Sequence, residues 1–185
     1  MRACEQTPGL SIWRHGEMVA EKYAELVAHL RRRDGPVGAL EGWRLPEWVT
    51  KHAGLLCARQ VPFAVAQRYQ VFHDCGKPHC IEFDQAGRRH FPRHAAVSAG
   101  IWRALGGAEM ESDLIAQDMD AHQLAAAGLD EFAERPTAAT LLLTGLAEVH
   151  ANAEMFGGQE DVGFRSKWKH LDRRGRALCL RWSQT

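Results

Sequence analysis

The sequence predicts an all-α fold, a compact bundle of about six helices, from three observations. Apolar residues recur at spacings of three and four along most of the chain, Gly, Pro and Asp residues punctuate that pattern, and no long alternating strand pattern competes with it. With 185 residues, 45% of them apolar, the chain is long enough to bury a substantial core and short enough to form a single domain over residues 1–185. No internal repeat, low-complexity tract or Pro/Gly/Ser linker divides it.

Val19, Tyr23, Leu26, Val27 and Leu30 place a first helix, whose buried face takes in His15 four residues before Val19 and which stops near Asp34-Gly35-Pro36. A second helical stretch runs from about Pro46 to Arg59. A third begins near Pro62, carries Val65, Tyr69, Phe72 and His73 on one side, and ends at Gly76 and Pro78. The segment Glu82 to Phe91, with Asp84, Gly87 and Arg88-Arg89, reads as a loop or short hairpin. Pro92 then opens a helix with His94, Val97, Ser98, Ile101 and Trp102 on one face. The next helix aligns Leu114, Ile115, Asp118, Met119 and His122. A further helix, Thr137 to Phe156, turns Leu142, Leu146, Val149 and Ala153 toward the core, with Glu148 and Asn152 on its flank, and ends at Gly157-Gly158.

Lys plus Arg equals Asp plus Glu at 23 each, so net charge gives no general argument for nucleic acid, membrane or acidic partners. The distribution is uneven. Eight acidic residues and no Lys or Arg lie between Arg103 and Arg135, whereas Arg165 to Arg181 carries seven basic residues against Asp172 alone. That basic C-terminal segment reads as a solvated helix face or as a grip for phosphates. Five cysteines without an apolar N-terminal segment point to a reducing cytoplasm rather than a disulfide framework. Cys75 and Cys80, spaced Cys-x4-Cys around His79, fit no familiar zinc-ribbon pattern. The longest apolar stretch, Ala138 to Val149, falls short of the ~20 residues a spanning helix needs, so no membrane partner is expected.

The chemistry centres on His73-Asp74-Cys75-Gly76-Lys77-Pro78. Chance readily supplies one His-Asp pair among ten histidines and nine aspartates, but this one sits where a helix ends. Neighbouring residues point about 100° apart on a helix, so both reach one metal only where the helix stops or bends. Imidazole and carboxylate together suit Mn, Fe, Co, Ni or Zn. His15, His94 and His122 fall on the inner faces of three other helices. Each alone is an ordinary core or surface histidine. Together they share a purpose if a metal meets them, since burying imidazoles without a partner carries a desolvation cost.

In this order, His15-Gly16-x-x-Val19, His73-Asp74-x-Gly76-Lys77-Pro78, His94-x-x-x-Ser98-Ala99 and Leu114-Ile115 leading to Met119 and His122 resemble the HD superfamily of metal-dependent phosphohydrolases. The resemblance implies an HD-domain helical bundle and one or two divalent transition ions held by His15, His73, Asp74, His94 and His122, with Asp74 bridging. The family closes its site with an Ala-Asp pair, where this chain has Ala147-Glu148. Glu148 is therefore the closing ligand or an exposed helix residue, with Asn152, Asp118 and Asp161 as substitutes. More narrowly, His73 to Gly87, His90-Phe91-Pro92-Arg93-His94 and Asn152-Ala153-Glu154-Met155-Phe156-Gly157-Gly158 resemble the HD module beside polynucleotide kinase domains in bacterial RNA end-repair enzymes.

That similarity implies cleavage of phosphomonoesters or phosphodiesters of nucleotides or RNA ends, including 2′,3′-cyclic phosphate and 2′-phosphate termini. Asp74 and Lys77 take the catalytic roles, with Lys77 supplying fixed positive charge to the phosphate. Lys77, Arg88, Arg93 and Ser98 are the candidate substrate contacts, with Arg89 and the basic segment beside them. No Gly-rich kinase loop occurs, so the module stands alone or works with a separate kinase or ligase. Other HD activities compete: deoxynucleotide triphosphohydrolase, cyclic-nucleotide phosphodiesterase or nuclease. So does a non-catalytic nucleotide- or RNA-binding module.

Overall fold

The computed structural model describes residues 1–7, 9–32, 40 and 42–184, and within them the chain is mostly helical. Two short hairpins, β1 (Glu5–Thr7) with β2 (Leu10–Ser11) and β3 (Glu82–Phe83) with β4 (Arg89–His90), interrupt ten helices. These are α1 (Ile12–Arg31), α2 (Glu47–Lys51), α3 (Ala53–Ala58), α4 (Phe63–Phe72), α5 (His94–Ala104), α6 (Glu109–Ala116), α7 (Asp120–Gln123), α8 (Leu129–Glu134), α9 (Ala138–Met155) and α10 (Val162–Trp182). The residues gather into two compact units, each assembled from two stretches of chain: 1–20 with 63–119, and 21–62 with 120–185. Among the described residues, no helix is long and apolar enough to cross a membrane.

In the first unit the β1–β2 hairpin runs directly into α1, whose first turn is capped where Ser11 Oγ accepts the Arg14 N–H at 3.1 Å. His15 and Val19 are fully buried on its inner face, as their spacing requires. The backbones of α1 and α4 approach at Gly16. A Cβ there would stand 2.9 Å from the Val71 carbonyl carbon and closer still to its oxygen. Helix α4 buries Ala66, Tyr69 and Gln70, a face rotated slightly from the expected one, since Val65 and Phe72 are only half-buried. Arg68 donates through Nε to the buried Glu111 of α6 at 2.8 Å.

The expected hairpin forms, pairing Glu82 with His90 and Phe83 with Arg89. Asp84 closes it by accepting the N–H groups of Ala86 and Arg88 at 2.9 and 2.8 Å, and Gly87 takes φ 72°. Pro92 does not open α5. Arg93 adopts a left-handed φ of 56° after it and the helix begins at His94.

In the second unit α9 is buried on nearly every side, which its apolar residues at both core and flank positions demand. Asp161 caps α10, accepting the N–H groups of Gly163 and Phe164. The basic C-terminal segment is the outer side of this helix. Phe164, Leu171, Leu178 and Trp182 are buried, while Arg165, Lys167, Lys169, Arg173 and Arg176 are exposed.

The helices outnumber the six expected because two long stretches are subdivided and because α8 and α10 lie outside the six helices placed from spacing. His52, at φ −112° and ψ 25°, separates α2 from α3 where the spacing predicts a single helix from 46 to 59, and β-branched Val49 and Thr50 with Gly54 weaken helix propensity there. The stretch from Leu114 to His122 also breaks. Helix α6 ends at Ala116, Asp118 turns back to Ile115 O, and its buried carboxylate accepts the Tyr69 hydroxyl at 2.6 Å. An Asp anchored to another helix in this way competes with helix continuation. His122 therefore lies on α7, in a different unit from Leu114. The expected stop at Asp34-Gly35-Pro36 lies outside the described residues.

His150 on α9 gives this unit a pH dependence. Its Nδ1 donates to Leu146 O at 2.8 Å, its Nε2 accepts the Arg44 N–H at 3.2 Å, and Trp43 stacks on its ring at 4.1 Å. Burial pushes its pKa down to about 4, and the Lys22 charge adds to the fall. The unfolded chain takes up this proton first as pH drops, at an ordinary histidine pKa near 6.5. Stability is thus complete above pH ~6.5 and is lost progressively down to pH ~4, by about 3 kcal/mol in all. Urea denaturation across that window should show a shallower pH slope in His150→Phe; equal slopes would remove His150 as the source.

Candidate metal centre

The candidate centre lies in the first unit, where three helices and the turn after α4 converge on Asp74. His15 comes from α1, His73 follows the last residue of α4, and His94 opens α5. His15, His73 and Asp74 are all at least 98% buried, and each offers a ligand atom within 4.8 Å of the others. Among the described residues, this is the cluster of three or more His, Cys, Asp or Glu side chains that could hold an ion. Neither Cys75 nor Cys80 belongs to it, and none of the five cysteines forms a disulfide.

Backbone carbonyls orient two of the rings. His73 Nδ1 lies 2.7 Å from Gln70 O, and His94 Nδ1 lies 3.0 Å from Phe91 O. A carbonyl only accepts, so both Nδ1 atoms carry the proton. Both Nε2 atoms consequently turn toward the same carboxylate, His73 Nε2 at 3.2 Å from Asp74 Oδ2 and His94 Nε2 at 3.6 Å from Oδ1. His15 Nε2 stands 3.8 Å from Oδ2. Anchoring one ring nitrogen on a carbonyl so that the other presents its lone pair is how proteins fix metal-ligating histidines. Asp74 Oδ1 is buried without a hydrogen-bond donor among the described residues, a cost that a cation at this point removes.

Burial alone would raise the Asp74 carboxyl, but the neighbouring His73 ring and the Lys77 charge outweigh it and hold it well below the usual carboxylate range. It is therefore ionised at neutral pH, the state a metal ligand requires. Lys77, in the 3₁₀ turn Lys77–His79, is buried with its Nζ 2.5 Å from Asp74 Oδ2. Gly76 makes the intervening turn possible. Its N–H donates to Ser98 Oγ at 2.8 Å, and a Cβ at 76 would lie 2.5 Å from Ser98 N. Ser98 is fully buried and its hydroxyl supports this turn.

Comparisons with protein-family models, with curated protein sequences and with solved structures find no match.

His122 and Glu148 form their own pair in the second unit, Nε2 to Oε2 at 2.9 Å, and both are largely shielded from solvent, so Glu148 is not an open surface residue. Asn152 reaches Glu148 Oε1 at a long 3.5 Å. Asp161 is taken up by the α10 cap and Asp118 by Tyr69. Arg88 is exposed and pairs with Asp84 at 2.7 Å. Arg93 is exposed at its left-handed position, and Arg89 donates to Gln6 O at 2.9 Å. Sequence reasoning missed the Gln70 and Phe91 carbonyls, because a backbone acceptor leaves no mark in residue type. It also missed Gln6, which is 71 positions from its partner Lys77.

Proposed function

We propose that this protein is a metal-dependent phosphohydrolase that binds a divalent transition ion at His15, His73, Asp74 and His94 and acts on phosphate esters of nucleotides or RNA ends. The observation that carries the reading is the pair of carbonyl-anchored imidazoles, His73 and His94, turning their Nε2 atoms to one buried, ionised carboxylate. The donor set of imidazoles and one carboxylate suits Mn, Fe, Co, Ni or Zn. When bound, such an ion offsets charge developing on phosphoryl oxygens and lowers the pKa of water.

The chain's own groups divide the remaining work. Asp74 carries the negative charge that holds the cation, and the two backbone carbonyls keep the rings in the tautomer that accepts it. Lys77 places an ammonium beside that carboxylate, where it meets a phosphoryl oxygen electrostatically. The substrate class follows from the resemblance to RNA end-repair modules, and exposed Arg88 and Arg93 on the neighbouring loop are suited to the rest of a nucleotide. His122 and Glu148 enter the proposal as a second histidine–carboxylate pair for another ion.

Protein stripped of metal should lose phosphodiesterase activity on 2′,3′-cyclic nucleotides and regain it with Mn, Ni or Co. His73→Ala should not regain it. Full activity in that variant would contradict the assignment, and tight nucleotide binding without turnover under every metal would favour a binding module.

A further inference from the structure

Lys77 has three neighbours that settle where its ammonium sits. Asp74 Oδ2 accepts from it at 2.5 Å, Gln6 Oε1 accepts at 3.0 Å, and the Phe91 ring centroid lies 5.2 Å away. Gln6 is itself clamped, because Arg89 Nη2 donates to its backbone carbonyl at 2.9 Å. Its strand β1 is tied to the start of α1, where Ile12 N donates to Cys4 O at 2.9 Å. One short segment thus bears both the grip on Lys77 and, three residues beyond Ile12, His15.

We infer that Gln6 is a positioning residue that fixes the Lys77 ammonium for a substrate phosphate while adding no charge of its own. The inference rests on the phosphohydrolase reading. An ammonium has three donors, and two are spent on Asp74 and Gln6, so the direction left for a phosphoryl oxygen is set by those two bonds. The identity of the second acceptor matters for charge as well as shape. With an amide at position 6, the Lys77–Asp74 pair is neutral and a bound metal leaves the site net positive. A carboxylate there would preserve the hydrogen bond but set a negative charge beside the phosphate, where like charges a few ångströms apart repel strongly in a partly buried site. Gln6 is half-buried, so the substitution is tolerated by packing.

The test uses Gln6→Glu and Gln6→Ala in the full chain loaded with Mn, with orthophosphate as the probe, titrated calorimetrically. Gln6→Glu should bind orthophosphate about tenfold or more weakly and raise KM more than it lowers kcat. Metal affinity measured without phosphate should be unchanged or tighter in this variant, because the introduced carboxylate draws Lys77 away from Asp74. Gln6→Ala should weaken orthophosphate by a smaller factor and leave the melting temperature close to that of the native chain. Orthophosphate affinity within twofold of native in Gln6→Glu overturns the inference while leaving the phosphohydrolase reading intact. A parallel fall in metal affinity also overturns it, since the residue would then be holding up the whole site. Failure of the native chain to bind metal or orthophosphate overturns both.

Discussion

Asp74→Asn is expected to abolish retention of a divalent ion and to lower phosphoester turnover by more than about 100-fold, beyond the loss typical of residues that only support a metal ligand. Asparagine preserves the size of the side chain and removes its charge. His73, His94 and His15 all face this carboxylate, so the variant removes the charge on which the three rings converge. The change also acts on the fold. Lys77 is 7% exposed and would keep only neutral acceptors, Gln6 and the new amide oxygen, for a buried cation, and removing one member of a buried ion pair typically costs ~3 kcal/mol or more. Elemental analysis after gel filtration, steady-state rates and urea denaturation together measure the three effects. Turnover within tenfold of native would contradict the role given to Asp74.

Gly16→Ala is expected to damage the same site from a position that touches no ligand. Its added methyl would stand 3.0 Å from Gln70 O and 2.9 Å from the Val71 carbonyl carbon, both backbone atoms of α4 that have no rotamer to change. The two helices must separate, and overpacking of this kind costs about 3 kcal/mol. Because His15 is the preceding residue on α1, and Gln70 O holds the His73 ring, separation also spoils the ligand geometry. Metal affinity should therefore fall along with the melting temperature. A Gly54→Ala control in α3, where a Cβ meets nothing within 4 Å, should leave metal affinity unchanged and hold or raise the melting temperature. If Gly16→Ala behaves like that control, the close approach of α1 to α4 does not govern the site.

Much of this is legible from residue order. The burial of His15 follows from its register with Val19 and Tyr23, and the end of α4 at His73-Asp74 follows from Gly76 and Pro78. The hairpin around Asp84 and Gly87 is legible because its turn chemistry is local. What fails are continuations. Leu114 and His122 share a helical register in the sequence, but Tyr69 draws the Asp118 carboxylate out of the helix, and a contact 49 positions away leaves no periodic signature. Pro92 is a good first helical residue, yet Arg93 turns left-handed so that His94 meets Phe91 O. The site is legible as a set of residue types, whereas its decisive geometry lies in two backbone carbonyls and in Gln6.

The central claim is that anchored imidazoles and Asp74 hold one ion, and metal-edge X-ray absorption on Mn- or Ni-loaded protein tests it most directly. The predicted result is a coordination shell containing two or more imidazoles and carboxylate oxygen, with the imidazole scattering reduced in His73→Ala. An ion surrounded by oxygen alone, or no ion retained, would contradict it.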